Sequence, residues 1–241
     1  MGSLEDRTAV ITGGGAGVGA AVAVALAEEG ADVYLIGRRL NKVELVAAKA
    51  RELGVNAVVQ SVDISTSSGQ LEVVERVKAD LRHLDILVLN AAMYAAAPIE
   101  DAQLSDFDKL YQTNVRAPYA LMQALSPMLK ARQGQVVFIN SSSGITAKAM
   151  TAQYDSSKHA LKAIADSFRA EINPFGVRVL SVYLGRTASD MQERIYQMEG
   201  KPYRPELLLQ PEDVASVIIN ALCLPRTAEV TDISIRPMIK S

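Results

Sequence analysis

Near its N-terminus the chain reads Thr12-Gly13-Gly14-Gly15-Ala16-Gly17-Val18-Gly19. An apolar, β-rich run (8–11) precedes this stretch, and a helix-forming run (20–26) follows it. Glycines let backbone N–H groups approach an anion closely, and the following helix directs its positive end at the same place. The order of strand, glycine loop and helix therefore predicts a phosphate-binding site that suits the pyrophosphate of a dinucleotide.

The glycine loop can be read in two ways. One pattern is Thr12 followed by Gly13, Gly17 and Gly19, and the other is Gly15-x-Gly17-xx-Ala20, which satisfies the broader dinucleotide fingerprint. Both patterns predict a nucleotide. A tight turn between packed elements uses the same residue types, so the rest of the chain has to support the prediction.

Length and composition limit the class of protein. With 241 residues the chain is expected to form a single domain, 1–241, and 49% hydrophobic residues suffice for a large core. The net charge of -2 shows no basic surplus, so we expect neither nucleic acid nor a membrane as partner. The single cysteine, Cys223, excludes an intrachain disulfide and is compatible with the cytoplasmic location that we expect.

Apolar runs alternate with amphipathic runs along the whole chain. The strands predicted from this alternation are 8–12, 32–37, 57–62, 86–90, 136–140, 178–183 and 231–236. The predicted helices are 17–29, 42–53, 70–81, 104–132, 153–172 and 212–222. This order predicts an α/β fold of the Rossmann type, with a doubly wound, seven-stranded parallel sheet and helices on both faces.

Several residues mark the ends of these helices. Asn41 is expected to cap the second helix, Gly54 to end it, and Pro211 to open the last one. Pro118 and Pro127 lie inside the long fourth helix, so a kink or a break is expected there.

The end of the second predicted strand bears on coenzyme choice. A carboxylate at this place receives the ribose 2′-hydroxyl of NAD, whereas arginine receives the 2′-phosphate of NADP. Here the strand ends at Gly37, and Arg38 and Arg39 follow it. The sequence therefore predicts NADP(H) over NAD(H), the alternative being that both arginines are merely solvated.

Candidate catalytic residues occur later in the chain. Tyr154 and Lys158 are four residues apart on a predicted helix and so share one face. A cation beside a phenol favours the phenolate, and such a tyrosine can exchange a proton with a ligand. An incidental Tyr and Lys on an exposed face is the alternative. Ser141 ends the preceding strand, and Asn114 lies in the long helix before it.

Taken together, these residues resemble the short-chain dehydrogenase/reductase family of the single-domain type, over the whole length of the chain. The resemblance implies NAD(P)-dependent carbonyl reduction or alcohol oxidation without a metal. It implies that Tyr154 protonates the carbonyl oxygen, that Ser141 hydrogen-bonds this oxygen, and that Lys158 holds the ribose and lowers the tyrosine pKa. Asn114 would order a water in a proton relay.

The resemblance also implies a set of coenzyme contacts. Asp63 would meet the adenine, Asn90 the adenosine ribose and Thr187 the nicotinamide amide. The coenzyme-binding residues predicted in this way, together with the two arginines, are Thr12, Gly13, Gly15, Gly17, Val18, Gly19, Arg38, Arg39, Asp63, Ile64, Asn90, Ala91, Tyr154, Lys158, Gly185 and Thr187.

The chain departs from the family pattern in two places. Ala92 stands where the family usually has glycine, and Leu184 stands where it usually has proline. Both positions adjoin the coenzyme-binding residues. They leave open a second hypothesis, a catalytically weak NADP(H)-binding sensor or scaffold protein of the same fold.

The segment 188–210, called here the lid segment, is apolar and bears methionines. In a chain with this resemblance it is expected to cover a hydrophobic carbonyl or alcohol substrate as a mobile lid. The alternative is that its apolar residues pack against the domain or a neighbouring subunit. By analogy with the family, we expect a homo-oligomer, a dimer or a tetramer.

Overall fold

The structure, a computed structural model, describes residues 2–239. Its strands are β1 (Thr8–Thr12), β2 (Asp32–Gly37), β3 (Ala57–Ser61), β4 (Ile86–Leu89), β5 (Gln135–Ser141), β6 (Arg178–Leu184) and β7 (Asp232–Ile235). They form one sheet in the order β3-β2-β1-β4-β5-β6-β7, and all neighbours are parallel. The predicted seven-stranded parallel sheet is confirmed.

Helices cover both faces of this sheet. They are α1 (Gly17–Glu28), α2 (Leu40–Glu52), α3 (Ser67–Asp80), α4 (Leu104–Tyr111), α5 (Ala117–Arg132), α6 (Ala152–Ile172), α7 (Asp190–Met198) and α8 (Pro211–Leu222). Buried residues of α1, α2 and α8 form one apolar cluster, and those of α3, α5 and α6 form another. Successive strand residues point to opposite faces, so Val10 belongs to the second cluster and Ile11 to the first.

The predicted helix 104–132 is helical over its whole length, but the type of helix changes in the middle. A π-helical segment, Gln112–Arg116, separates α4 from α5. Pro118 then lies in the first turn of α5, where its missing N–H costs little. Pro127 lies inside α5 without ending it. No break therefore occurs at either proline, and the helix instead takes the π form just before Pro118.

Two details at helix ends differ from the sequence prediction. Arg39, not Asn41, is the N-cap of α2, because the Arg39 carbonyl already accepts hydrogen bonds from the N–H groups of Lys42 and Val43. Helix α7 was not predicted, although Ser189 caps it by accepting a hydrogen bond from the Gln192 N–H at 3.2 Å.

The other two helix-end predictions are confirmed. Gly54, with φ +90°, follows the end of α2, and Pro211 is the first residue of α8. Within residues 2–239, no helix has both the length and the apolar character needed to cross a bilayer.

Candidate active site

The site is built at the carboxyl ends of β1 and β4, which are tied together by hydrogen bonds. The Thr12 hydroxyl accepts from the N–H groups of Asn90, at 3.0 Å, and Ala91, at 3.1 Å. The Asn90 amide donates back to the carbonyls of Thr12, at 3.0 Å, and Gly13, at 3.2 Å. Asn90 therefore holds the glycine loop with both N–H groups of its side chain.

The glycine loop has the shape of an anion cradle. Gly13 and Gly17 adopt positive φ angles of 68° and 53°, and a Cβ atom at Gly19 would lie 2.4 Å from the Asn90 Nδ2. The first N–H groups of α1 have no acceptor within the helix, and the Ala16 N-cap supplies none from its side chain. The loop therefore fits an anion such as a pyrophosphate.

Gly15 and Val18, the other two loop residues predicted to bind the coenzyme, have different surroundings. A Cβ atom at Gly15 would lie 3.0 Å from Cγ1 of Val43, so this glycine allows α2 to approach the loop. Val18 lies in the first turn of α1 and is half-buried.

Two arginines and a carboxylate meet at the ends of β2 and β3. Arg38, Arg39 and Asp63 are all exposed. Limited desolvation acts to raise the pKa of Asp63, but the Ser65 N–H, which donates at 2.9 Å, and the charge of Arg38 lower it overall. The side chain of Ile64 points into the core instead and is 7% exposed.

Tyr154, Lys158 and Ser141 come together under the carboxyl end of β5. Tyr154 and Lys158 are buried, being 9% and 3% exposed, and the lysine Nζ donates to the Ile139 carbonyl at 3.2 Å. The Lys158 Nζ is 5.9 Å from the centre of the Tyr154 ring. The structure therefore brings the three side chains together, with the half-buried Ser141 beside the buried Tyr154 and Lys158.

Burial controls the acidity of both groups. It raises the pKa of Tyr154 to about 12, with the hydrogen-bonding Ser141 side chain acting in the opposite direction. It lowers the pKa of Lys158 to about 8. Desolvation of the phenolate is the largest influence on the pKa of Tyr154, and the lowering by Lys158 that the resemblance implies stays a prediction.

Asn114 lies in the π-helical segment and uses its side chain to hold a loop. Its amide donates to the Met93 carbonyl and to the Ser157 hydroxyl, both at 3.0 Å, and its oxygen accepts from the Met93 N–H at 2.9 Å. Both N–H groups of the side chain are thus in use. Donation to a relay water from this amide would require breaking one of these bonds.

Two residues at the site were missed by the sequence analysis. Tyr94 packs edge-on against Tyr154, with ring centres 4.9 Å apart and planes at 62°. Asp155 is 1% exposed and accepts from the Lys148 N–H and the Thr151 hydroxyl, both at 2.7 Å, which fixes the loop before α6. An aromatic residue shortly after Asn90 and an acid directly after Tyr154 were the available signals.

Gly185 and Thr187 connect β6 to the lid segment. A Cβ atom at Gly185 would lie 2.9 Å from Pro237 Cδ, and the Gly185 N–H donates to the Ile235 carbonyl at 2.7 Å. The buried Thr187 hydroxyl donates to the Gly185 carbonyl at 3.1 Å. Thr187 also forms a parallel bridge with Leu209, so the two ends of the lid segment meet.

The lid segment is held in place at the start and at the end of α7. Arg186 donates two hydrogen bonds to Glu199, at 2.7 and 2.9 Å, and lies over the Tyr196 ring. At the start of α7, Ser189 lies against Gly17, where a Cβ atom would be 3.5 Å from the serine Cβ. The start of the lid segment therefore lies beside the glycine loop.

We predict that Lys158→Met stabilises the folded protein at pH 7. The Lys158 amine has a pKa of about 8 in the folded protein and an ordinary value of 10.5 in the unfolded chain. Above pH 10.5 the amine is mostly neutral in both states, and between pH 10.5 and pH 8 the unfolded chain takes up the proton while the folded protein does not. Protonation of the unfolded chain therefore lowers the free energy of unfolding of the wild type by about 3 kcal/mol at pH 7. Lys158→Met removes this penalty but loses a hydrogen bond that contributes about 1 kcal/mol, so its free energy of unfolding should be about 2 kcal/mol higher. Urea unfolding at pH 7 and pH 10.5 measures it.

Lys162→Met is the matched control, because Lys162 lies one turn away and pairs with Asp166 at 2.6 Å. That pairing raises the Lys162 pKa, so the control should gain no stability at pH 7. If wild type and Lys158→Met showed the same pH dependence of stability, the buried ammonium would not carry this penalty.

Comparisons with known proteins identify the family to which this fold belongs. The family profile described as "short chain dehydrogenase" matches residues 7–200. An uncharacterized oxidoreductase of Staphylococcus epidermidis is 28% identical over 242 aligned positions, covering 99% of this chain and 100% of that protein.

Solved structures are similar over nearly the whole chain. The alcohol dehydrogenase of the archaeon Thermococcus sibiricus, complexed with 5-hydroxy-NADP, has a TM-score of 0.87 at 25% identity and covers 98% of both chains. A metagenomic short-chain oxidoreductase in complex with NADP has a TM-score of 0.85 at 28% identity, covering 99% of this chain and 100% of that one. The chain therefore belongs to the short-chain dehydrogenase/reductase family of NAD(P)-dependent oxidoreductases.

Proposed function

We propose that the protein is an NADP(H)-dependent oxidoreductase that interconverts a carbonyl and a secondary alcohol, with Tyr154 as general acid and base. The observation that carries this proposal is the grouping of the buried Tyr154 and Lys158 with the half-buried Ser141 at the carboxyl end of β5. When bound, the coenzyme supplies or accepts the hydride.

The chain's own groups act on the oxygen of the substrate. With a pKa near 12 the Tyr154 phenol is protonated at neutral pH and is ready to donate its proton to a carbonyl oxygen. The Ser141 hydroxyl, next to the phenol, can donate a second hydrogen bond to the same oxygen as negative charge develops there. Lys158 contributes an ammonium group 5.9 Å from the centre of the Tyr154 ring.

The coenzyme would be held along the strand ends. The glycine loop and the first turn of α1 would receive the pyrophosphate, and Lys158 the ribose hydroxyls. Asp63 would lie at the adenine end of the coenzyme and Thr187 at its nicotinamide end. Asn90 would act indirectly, since its amide holds the loop carbonyls of Thr12 and Gly13.

The preference for NADP(H) is supported by the charge at the end of β2. Gly37 ends the strand without an acid, and the exposed Arg38 and Arg39 follow it. A guanidinium group can bind a phosphate through two parallel hydrogen bonds. Two of the similar solved proteins were found with NADP or a derivative of it.

We expect Arg38→Ala to weaken NADPH binding by about 1.5 to 3 kcal/mol, the range for hydrogen bonds to charged groups, and to leave NADH binding almost unchanged. Titration of both coenzymes against wild type and variant measures this. Arg51→Ala is the control, because Arg51 also carries an exposed charge on α2 but pairs with Glu44 instead. Equal or tighter binding of NADH by the wild type would overturn the preference.

The proposal also includes a class of substrate, a homo-oligomeric assembly and a cellular location. The lid segment is expected to close over a hydrophobic substrate, with Met191 among its partly exposed residues.

Exposed Leu104 on α4 and Tyr119 on α5 support a homo-oligomer through these helices. We infer a cytoplasmic protein. A panel of ketones with NADPH, followed at 340 nm, tests the activity.

A further inference from the structure

An ion pair joins the lid segment to the proposed 2′-phosphate site. Asp190 is the first residue of α7, and its Oδ2 atom is 3.4 Å from Nη2 of Arg39. The side chains are 57% and 52% exposed, so both remain accessible to a ligand. Nothing in the sequence pattern connects these residues, which are 151 positions apart.

The ion pair lies where two coenzyme groups are expected. Ser189, the residue before Asp190, lies beside Gly17 of the glycine loop, since a Cβ atom added at Gly17 would be 3.5 Å from the Ser189 Cβ. Arg39 follows Gly37 at the place where a 2′-phosphate is received. The first turn of α7 therefore spans the distance between the cradle and the arginines.

We propose that Asp190 competes with the coenzyme 2′-phosphate for the guanidinium group of Arg39, and so limits the preference for NADP(H) over NAD(H). The inference rests on the proposed coenzyme site at Arg38 and Arg39. A phosphate on Arg39 displaces the Asp190 carboxylate, because two anions at this separation repel each other. NAD(H) lacks this phosphate and leaves the ion pair intact.

The competition also links coenzyme identity to the lid segment. Arg39 holds the N-terminal turn of α7 through Asp190, while Arg186 holds its C-terminal end through Glu199. Binding of a 2′-phosphate releases only the first of these two contacts. The beginning of α7 then loses its ion pair with the residues that follow β2, whereas the ion pair at its end is kept.

The experiment is a comparison of Asp190→Asn with wild type. The substitution keeps the size of the side chain and removes the charge that holds Arg39. We expect NADPH to bind about two- to fivefold more tightly, the range set by exposed ion pairs, with NADH changed by less than about 1.5-fold. Glu193→Gln is the matched control, since Glu193 is an exposed acid in the first turn of α7.

The Arg39→Ala background separates competition from other effects. If Asp190 acts through Arg39, Asp190→Asn should have no effect on NADPH affinity once Arg39 is absent. Three results would overturn the inference: unchanged NADPH affinity in Asp190→Asn, an equal gain for both coenzymes, or a full gain that persists in Arg39→Ala. These results are independent of the wild-type preference, because failure of the proposed function would appear as tighter NADH binding by the wild type.

Discussion

Tyr154→Phe is expected to lower turnover by about 10²- to 10⁴-fold while NADPH binding stays within about twofold of wild type. The substitution removes one hydroxyl group and keeps the ring, so the edge-on contact with Tyr94 is preserved. General acid–base groups supply about 10² to 10⁴ in rate, and we expect a loss in this range. Single-turnover oxidation of NADPH with an accepted ketone measures it.

Tyr94→Phe is the control for that experiment, because it removes a second hydroxyl from the same aromatic pair. It should keep most of the activity. Activity of Tyr154→Phe within about threefold of wild type would contradict the role of the phenol as the acid. If the wild type itself bound NADPH without transferring hydride to any ketone, a sensor or scaffold function would be favoured.

Gly37→Asp is expected to reverse the coenzyme preference. The new carboxylate would repel the 2′-phosphate of NADPH and accept hydrogen bonds from the ribose hydroxyls of NADH. Hydrogen bonds to charged groups contribute about 1.5 to 3 kcal/mol, so the affinity ratio should change by roughly a hundredfold. Parallel titrations of NADPH and NADH measure the ratio.

A steric control is required at this position. A Cβ atom on Gly37 would lie 2.9 Å from Cγ1 of Val43, which is fully buried, so α2 has to adjust to any side chain. Gly37→Ala introduces the same Cβ atom without charge and should weaken both coenzymes alike. If Gly37→Ala shifted the ratio as much as Gly37→Asp, sterics rather than charge would set the preference.

The sheet and the grouping at the strand ends could be predicted from sequence for a physical reason. Strands buried on both faces are short apolar runs, and parallel connections place their carboxyl ends at one edge. This is why Thr12, Asn90 and Ser141 could be expected close together although they are far apart in the chain. The alternation of runs also fixed the number of strands.

Interactions between distant side chains could not be predicted in the same way. The pairing of Arg39 with Asp190 depends on where α7 packs against the domain. No local sequence pattern predicts that packing position. The acidity of Tyr154 depends on burial, which requires the three-dimensional surroundings. Helix α7 was missed because its residues were read as a lid, although Ser189 followed by Asp190 and Glu193 is a typical helix start.

The hydrogen bonds between Thr12 and Asn90 have a consequence for folding. Strands β1 and β4 are neighbours in the sheet, where Thr12 lies opposite Leu89. In the sequence they are separated by two strands and three helices. Pairings of this kind form late, because closing a long loop costs entropy before any contact is gained. The coenzyme cradle is held by this junction, so an incompletely paired sheet offers no binding site. Coenzyme added during refolding should therefore leave the early steps unchanged and stabilise only the completed protein, by mass action.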